Sequence, residues 1–189
     1  MNAATVASQA AADALPGLAA TAVYADLNTS APALKRELAH LVGERFADVA
    51  LLGPVPARGI ATPALASGPS APTFADLIGP FGMPVQVVSG QAGDAAAMKL
   101  VRSVFMKGLA ASAVESMRAA EAAGCADWLA DEIAEVIGRP LLDRMLEGST
   151  THAARRVDEM EAAAELLVEL GVEPRIATAS AALLSDLAG

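Results

Sequence analysis

Lys99, Arg102, Ser103 and Lys107 interrupt a run of apolar, helix-forming residues with three cations and a hydroxyl, and no acid lies between them. In a chain with a formal charge of −9, that local excess of positive charge points to chemistry. Lys99, Ser103 and Lys107 are spaced i, i+4 and i+8, so on a helix they drift only about 40° per step and share one face. A lysine on an otherwise buried helix is desolvated, and neighbouring cations further disfavour its ammonium form; both effects favour proton transfer near neutral pH. The plainer reading of these residues is a set of solvated or snorkelling side chains.

The element that must carry them is a helix from Ala95 to Ala123, capped by Asp94, weakened only at Gly108 and stopped by Gly124. At 1.5 Å per residue it is about 40 Å long. It is apolar nearly all round from Ala95 to Val114, so it has to be covered on several sides and is expected at the centre of an assembly. Shorter helices are predicted over Asp127–Ile137, Pro140–Leu146, Thr151–Leu170 and Pro174–Leu187, with Gly138, Gly148 and Gly171 as stops.

Upstream of Gly93 the texture differs, with short apolar runs punctuated by Gly and Pro. Ala22–Asn28, Ala47–Val55 and Pro84–Ser89 read as strands. Between them lie a helix capped by Ser30, with Pro32 in its first turn and Lys35–Val42 following, and one starting at Thr73 and ending near Gly79 and Pro80. Met1–Leu15 reads as a further helix, while GPVPARG (53–59) and SGPSA (67–71) read as irregular. The alternation predicts an α/β, partial Rossmann-type unit of parallel strands over residues 1–92, followed by an all-α domain over 93–189.

Composition narrows the function. Hydrophobic residues make up 54% of the chain but aromatics only 3%, which favours closely packed helices. The negative charge opposes binding to nucleic acid or an anionic membrane. Cys125 is the only cysteine, and His40 and His152 have no zinc-like spacing, so neither a disulfide nor a metal site is expected and a cytoplasmic setting fits best. Met1–Leu15 lacks the basic start of a signal peptide and is too polar to span a membrane.

The segment GQAGDAAAMKLVRS, from Gly90 to Ser103, resembles the G-x-x-G-x-G-x-x-x-K-x-x-x-N signature of the beta-hydroxyacid dehydrogenases, relatives of phosphogluconate and hydroxyisobutyrate dehydrogenases. Gly90, Gly93 and Lys99 match it; Ala95 stands for the third glycine and Ser103 for the asparagine. DLNTSAP, from Asp26 to Pro32, is similar to the family's D-x-S-T-x-x-P turn, with Asn28 where serine is usual. LGPVPARG is similar to D-A-P-V-S-G-G, with Pro54 and Val55 matching and Pro56 in the serine position. The tail from Ala153 to Ala188 is similar to a subgroup with a phosphogluconate-dehydrogenase-type C-terminal domain of unknown substrate.

That resemblance implies reversible hydride transfer between a hydroxy acid and NAD or NADP, with Lys99 as the catalytic acid/base and Asn28 and Thr29 on the nicotinamide side of the cofactor. It also implies a small anionic hydroxy-acid-like substrate near Pro54, Val55 and Ser103. Arg58, in its glycine-bounded loop, and Lys107 are candidates for the substrate's negative charge, as is Arg102, although a surface or interface role suits Arg102 and Lys107 equally. The apolar central helix predicts a homodimer.

A strand leading into G-x-G-x-x-G, with an acid about twenty residues later, is absent from this sequence. Three readings follow: a dehydrogenase whose start is missing here, a non-catalytic dimerising remnant that binds a small anion, and a helical interaction module without redox chemistry. Other features have plain readings. Cys125 and Trp128 are expected to pack in the core, His152 to sit in the first turn of a helix at the surface, Ser67 and Gly68 to form an ordinary turn, and Glu159, Glu161, Glu165 and Glu169 to form a solvated helix face.

Overall fold

The computed structural model describes residues 3–189, with side chains from residue 6 onward. It divides into two compact units, one running to Lys99 and the other covering Leu100–Gly189.

The first unit contains α1 (Ala3–Ala14), β1 (Tyr24–Asp26), α2 (Pro32–Val42), β2 (Phe46–Leu51), α3 (Val55–Arg58), β3 (Ala64–Ser67), α4 (Ala71–Ile78), β4 (Val85–Val87) and the start of α5 (Asp94–Ala123). The expected start of the first helix at Met1 lies outside the described residues. Leu34, Leu38 and Val42 recur every four residues along α2 and bury its inner stripe, while Gly43, at φ +73°, ends it where a side chain would be strained. The expected cap is not made: Ala31 occupies the cap position, and Ser30 Oγ is buried without a hydrogen-bond partner. α4 starts two residues before Thr73, and Ser70 Oγ donates to the Glu44 carbonyl at 2.7 Å.

The four strands lie in the order β1-β2-β3-β4. β1–β2 is parallel, as expected, and β3, a strand the sequence reading did not include, is parallel to β4 but antiparallel to β2, with Asp48 opposite Ser67. The connection between β2 and β3 holds only short helical pieces, the four-residue α3 and a 3-10 turn at Gly59–Ala61. A parallel crossover usually carries an α-helix back across the sheet, and here the chain instead doubles back beside the strand it has just left. GPVPARG, expected to be irregular, therefore contains the short α3.

Strand alternation assigns each side chain of β2 to a face. Ala47 and Val49 pack with Ala64, Ala66, Ala71 and Phe74 beneath α4. Phe46 packs on the opposite face with α1 and α2, and Ala50 packs there with Leu65 and Ala95. Asp48 and Ser67 are in step with these residues and so face α2 and the first turn of α5.

The second unit contains the rest of α5 with α6 (Ala126–Ile137), α7 (Arg139–Thr151), α8 (Ala153–Glu169) and α9 (Arg175–Ala188). Ala113, Ala130 and Leu142 form one core cluster, and Met160, Ala177 and Leu184 another. Gly148 does not stop a helix. It lies inside α7, and the Arg156 guanidinium occupies the space a Cβ would need. Gly108, the weak point of α5, has a similar explanation, since an added Cβ would sit 2.7 Å from Ile176 Cγ2.

Three plain readings are overturned. Ser67, expected in an ordinary turn, is the last residue of β3 and fully buried. Trp128 is 62% exposed within the chain, because it lies off the stripe by which α6 buries Ala130. Glu159 is 4% exposed, whereas Glu161, Glu165 and Glu169 are exposed as expected. Among the described residues, no helix is long and apolar enough to cross a membrane.

Candidate functional site

Lys99 lies one turn into α5, where Ala95, Ala96 and Leu100 bury the helix and leave the lysine half-buried. Its Nζ donates to Thr29 Oγ1 at 2.6 Å, across 70 residues of sequence. Two residues read separately, one as a proton-transfer group and one as a cofactor contact, thus meet directly in the first unit.

Asn28, next to Thr29, is held by the end of β1. Asp26 Oδ1 accepts from Asn28 Nδ2 at 2.6 Å and from Asn28 N at 3.3 Å, the local side-chain-to-backbone bond that shapes such turns. Pro54, Val55 and Arg58 lie at or on α3 and are exposed, with Arg58 Cδ lying along Gly53.

Behind the loop and the helix start lies a buried polar cluster that the sequence reading did not identify. Lys35, with 0% exposure, places its Nζ 2.8 Å from Asp26 Oδ2, 3.0 Å from the Asp26 carbonyl and 3.2 Å from Asp48 Oδ1. The last contact is an ion pair without hydrogen-bond alignment, since Asp48 Oδ1 makes no hydrogen bond. Asp48 Oδ2 accepts from Ser67 Oγ at 3.1 Å, Gly93 N at 3.1 Å and Ala96 N at 3.0 Å, while Ser67 Oγ accepts from Ala95 N at 3.0 Å. The sheet therefore caps the long helix, satisfying three amides that no helical carbonyl can reach. One ammonium faces two carboxylates, and the second negative charge lies against the positive end of the α5 dipole. Beside them Tyr24 stacks on Phe46 at 6.4 Å; burial, then the Asp26 charge, pushes the Tyr24 hydroxyl above its ordinary range.

In the second unit, Ser103 and Lys107 converge on α8. Ser103 Oγ donates to Glu159 Oε1 at 2.5 Å, and Lys107 Nζ donates to the same oxygen at 2.9 Å. Burial pulls the Lys107 ammonium below its ordinary range and outweighs the opposing pull of Glu159; Arg156 and Arg155 push in the same direction as burial. Arg102 is exposed. Of the expected substrate contacts, Ser103 and Lys107 are thus engaged with a carboxylate of their own unit.

A signal for the missed residues was present. Lys35 falls on the stripe of Leu34, Leu38 and Val42, and Asp48 is the one charge in the otherwise apolar strand FADVAL. A charge on a core-facing position has to be paired, and these two are paired with each other.

Residues 120–187 match the family described as a domain of unknown function, DUF1932. An uncharacterized 28.5 kDa protein of Methanothermus fervidus, from the 7S RNA 5′ region, is 29% identical over 142 residues, covering 73% of this chain and 55% of that protein. A conserved hypothetical protein from Sinorhizobium meliloti 1021 is 29% identical with a TM-score of 0.73, over 98% of this chain and 64% of that one. The chain thus spans about half to two thirds of the length of these relatives. The 3-hydroxyisobutyrate dehydrogenase of Mycobacterium tuberculosis, solved with L-serine, shares the fold at 17% identity with a TM-score of 0.76, over 98% of this chain and 71% of that one. A reductive aminase from Aspergillus terreus, solved with NADPH and ethyl levulinate, matches at 20% identity with a TM-score of 0.50, over 86% of this chain and 62% of that one. An α/β unit followed by a helical unit, with one long helix entering the second, is the fold of the hydroxyacid dehydrogenases, in agreement with the resemblance carried by Gly90, Gly93 and Lys99.

Proposed function

We propose that this chain carries the proton-transfer residues of an NAD(P)-dependent, hydroxyacid-dehydrogenase-like oxidoreductase that acts on a small anionic hydroxy acid. The observation that carries the reading is the 2.6 Å contact between Lys99 Nζ and Thr29 Oγ1. A general acid/base has to be held within hydrogen-bond reach of the group it serves, and the bond to Thr29 helps to orient the Lys99 side chain. Lys99 takes the hydroxyl proton of the substrate as its carbon is oxidised and returns it in the reverse direction. Asn28 and Thr29 are suited to the polar edge of the nicotinamide, which supplies the hydride acceptor when bound. Arg58, exposed beside Pro54 and Val55, is placed to meet the substrate's negative charge.

The residues described here fit the nicotinamide end but not the pyrophosphate. A dinucleotide fold places its phosphates on the amides of a G-x-G-x-x-G turn that opens a helix, a motif this sequence does not contain, and at the start of α5 the amides of Gly93, Ala95 and Ala96 are taken by Asp48 and Ser67. The second reading is a non-catalytic dimerising protein that binds a small anion, with the half-buried Lys99 as its cation. Either reading has the chain act as a homodimer in the cytoplasm, without nucleic acid or membrane.

The deciding experiment uses the protein in its full natural length, whatever precedes or follows these residues. Reduction of NAD or NADP by a panel of 3-hydroxy acids, abolished by Lys99→Met, is expected. No turnover with either nucleotide, or turnover that survives Lys99→Met, overturns the enzymatic reading. The chain as printed is expected not to bind NADPH at micromolar concentration in a fluorescence titration.

A further inference from the structure

We propose that Lys35 is a positioning residue that aligns Thr29 with Lys99, an inference that rests on the reading of Lys99 as the acid/base. The two segments that meet at this contact come from distant parts of the chain, and each is tied to the same buried ammonium. On one side Lys35 Nζ holds Asp26 through its carbonyl at 3.0 Å and its Oδ2 at 2.8 Å. The other oxygen of Asp26 fixes both nitrogens of Asn28, the residue before Thr29. On the other side Lys35 Nζ faces Asp48 Oδ1 at 3.2 Å, and Asp48 Oδ2 holds the amides of Gly93 and Ala96. Ala96 is three residues before Lys99, on the same helical turn.

Lys35 and Asp48 are both fully buried, so neither charge can relax into water when its partner moves. A buried ammonium with one carboxylate on each side has few arrangements that keep both paired, and the alternative is an uncompensated charge. The loop before α2 and the first turn of α5 are therefore held in one register, which is what a proton-transfer residue needs, since a displacement of about 1 Å can cost on the order of a hundredfold in rate. Packing alone accounts for Ala95 and Leu100 but not for two carboxylates and an ammonium in the core.

The chain has three lysines, Lys35, Lys99 and Lys107, so acylation by acetic anhydride can be followed at each by peptide mass spectrometry. Thr29→Val defines the rate at Lys99 when the contact is lost. Asp48→Asn removes the charge that faces Lys35 while leaving an oxygen for the amides, and Asp26→Asn and Lys35→Met test the other arm and the centre. In folded Asp48→Asn, the rate at Lys99 is expected to rise about fivefold, roughly the equivalent of one lost hydrogen bond, with the rate at Lys107 unchanged. Combining Asp48→Asn with Thr29→Val is expected to add nothing further at Lys99.

An unchanged Lys99 rate in the folded variants overturns the proposal, as does an equal rise at Lys107, which marks general loosening. Failure of all three variants to fold assigns Lys35 to the core alone and overturns it as well. No effect of Thr29→Val removes the contact on which the coupling depends. The readout involves no redox turnover, so the dehydrogenase reading can fail in its own assay while this coupling stands.

Discussion

Ser103 Oγ and Glu159 Oε1 lie 2.5 Å apart across 56 residues of sequence, joining the long helix to α8 inside the second unit. Lys107 Nζ reaches the same oxygen at 2.9 Å, so Glu159 is a shared acceptor and not part of a solvated face. Its Oε1 takes two donors, and removing the carboxylate leaves Ser103 Oγ and Lys107 Nζ only their longer contact with each other, at 3.4 Å.

Glu159→Ala is accordingly expected to destabilise the protein by about 3 kcal/mol, within the range for breaking a buried pair and leaving one partner unpaired. Glu161→Ala and Glu165→Ala, on the exposed side of the same helix, are expected to change stability by no more than about 0.5 kcal/mol. Urea unfolding of the three variants measures the contrast. Equal losses at all three positions would show that Glu159 is no more buried in solution than its neighbours.

The same lysine gives a pH dependence. Lys107 titrates below 10.5 in the folded chain because burial disfavours its charge, so between its folded value and 10.5 the unfolded chain binds more protons. Stability is therefore expected to rise with pH through that alkaline window and to be flat with respect to Lys107 below it. Lys107→Met removes the slope. Tyr24, raised from 10.0, acts in the opposite sense above that value, so the comparison belongs below pH 10.0. A wild-type slope that persists unchanged in Lys107→Met would assign the dependence to another group.

The cap on the long helix can be tested at Ser67, whose hydroxyl lies between Asp48 and the Ala95 amide. Ser67→Ala leaves that amide without its side-chain acceptor and is expected to cost about 1–2 kcal/mol. Amide exchange should quicken at residues 93–96 before it does so elsewhere in α5, as expected for a lost terminal cap. Unchanged protection there would mean that the helix end does not depend on the strand.

The two-unit order of the fold was legible because it rests on local pattern: the long helix, its glycine stop and the strands around Tyr24, Phe46 and Val85 all follow from periodicity. β3 was not legible, because Ala64-Leu65-Ala66-Ser67 contains no β-branched or aromatic residue and becomes a strand through its place between β2 and β4. Lys99 and Thr29 were each legible by motif, but their contact was not. The cluster of Lys35, Asp26 and Asp48 was legible only in part: Lys35 on the apolar stripe of α2 and Asp48 in an apolar strand each signal a buried charge, but their pairing depends on strand alternation turning Asp48 toward α2. Glu159 was read with its neighbours because α8 places an acid on nearly every turn, and only Ser103 and Lys107 on another helix distinguish it.

The homodimer expected from the apolar helix remains to be measured, and the exposed side chains supply a probe. Val101 on α5 is 50% exposed and Phe105, one turn on, 69%, while Val136 on α6 is 83% exposed; two exposed apolar side chains at i and i+4 share one helix face that a partner can cover. Trp128, the only tryptophan, lies on α6 as well. A mass of twice 19.0 kDa is expected by light scattering, with Trp128 emission shifting to longer wavelength on dilution as the pair separates. Phe105→Glu puts a charge on the exposed apolar face of α5 and is expected to give the monomer mass with an unchanged circular dichroism spectrum. A wild-type mass of 19.0 kDa at all concentrations would leave Phe105 and Val136 exposed in solution and remove the homodimer from either functional reading.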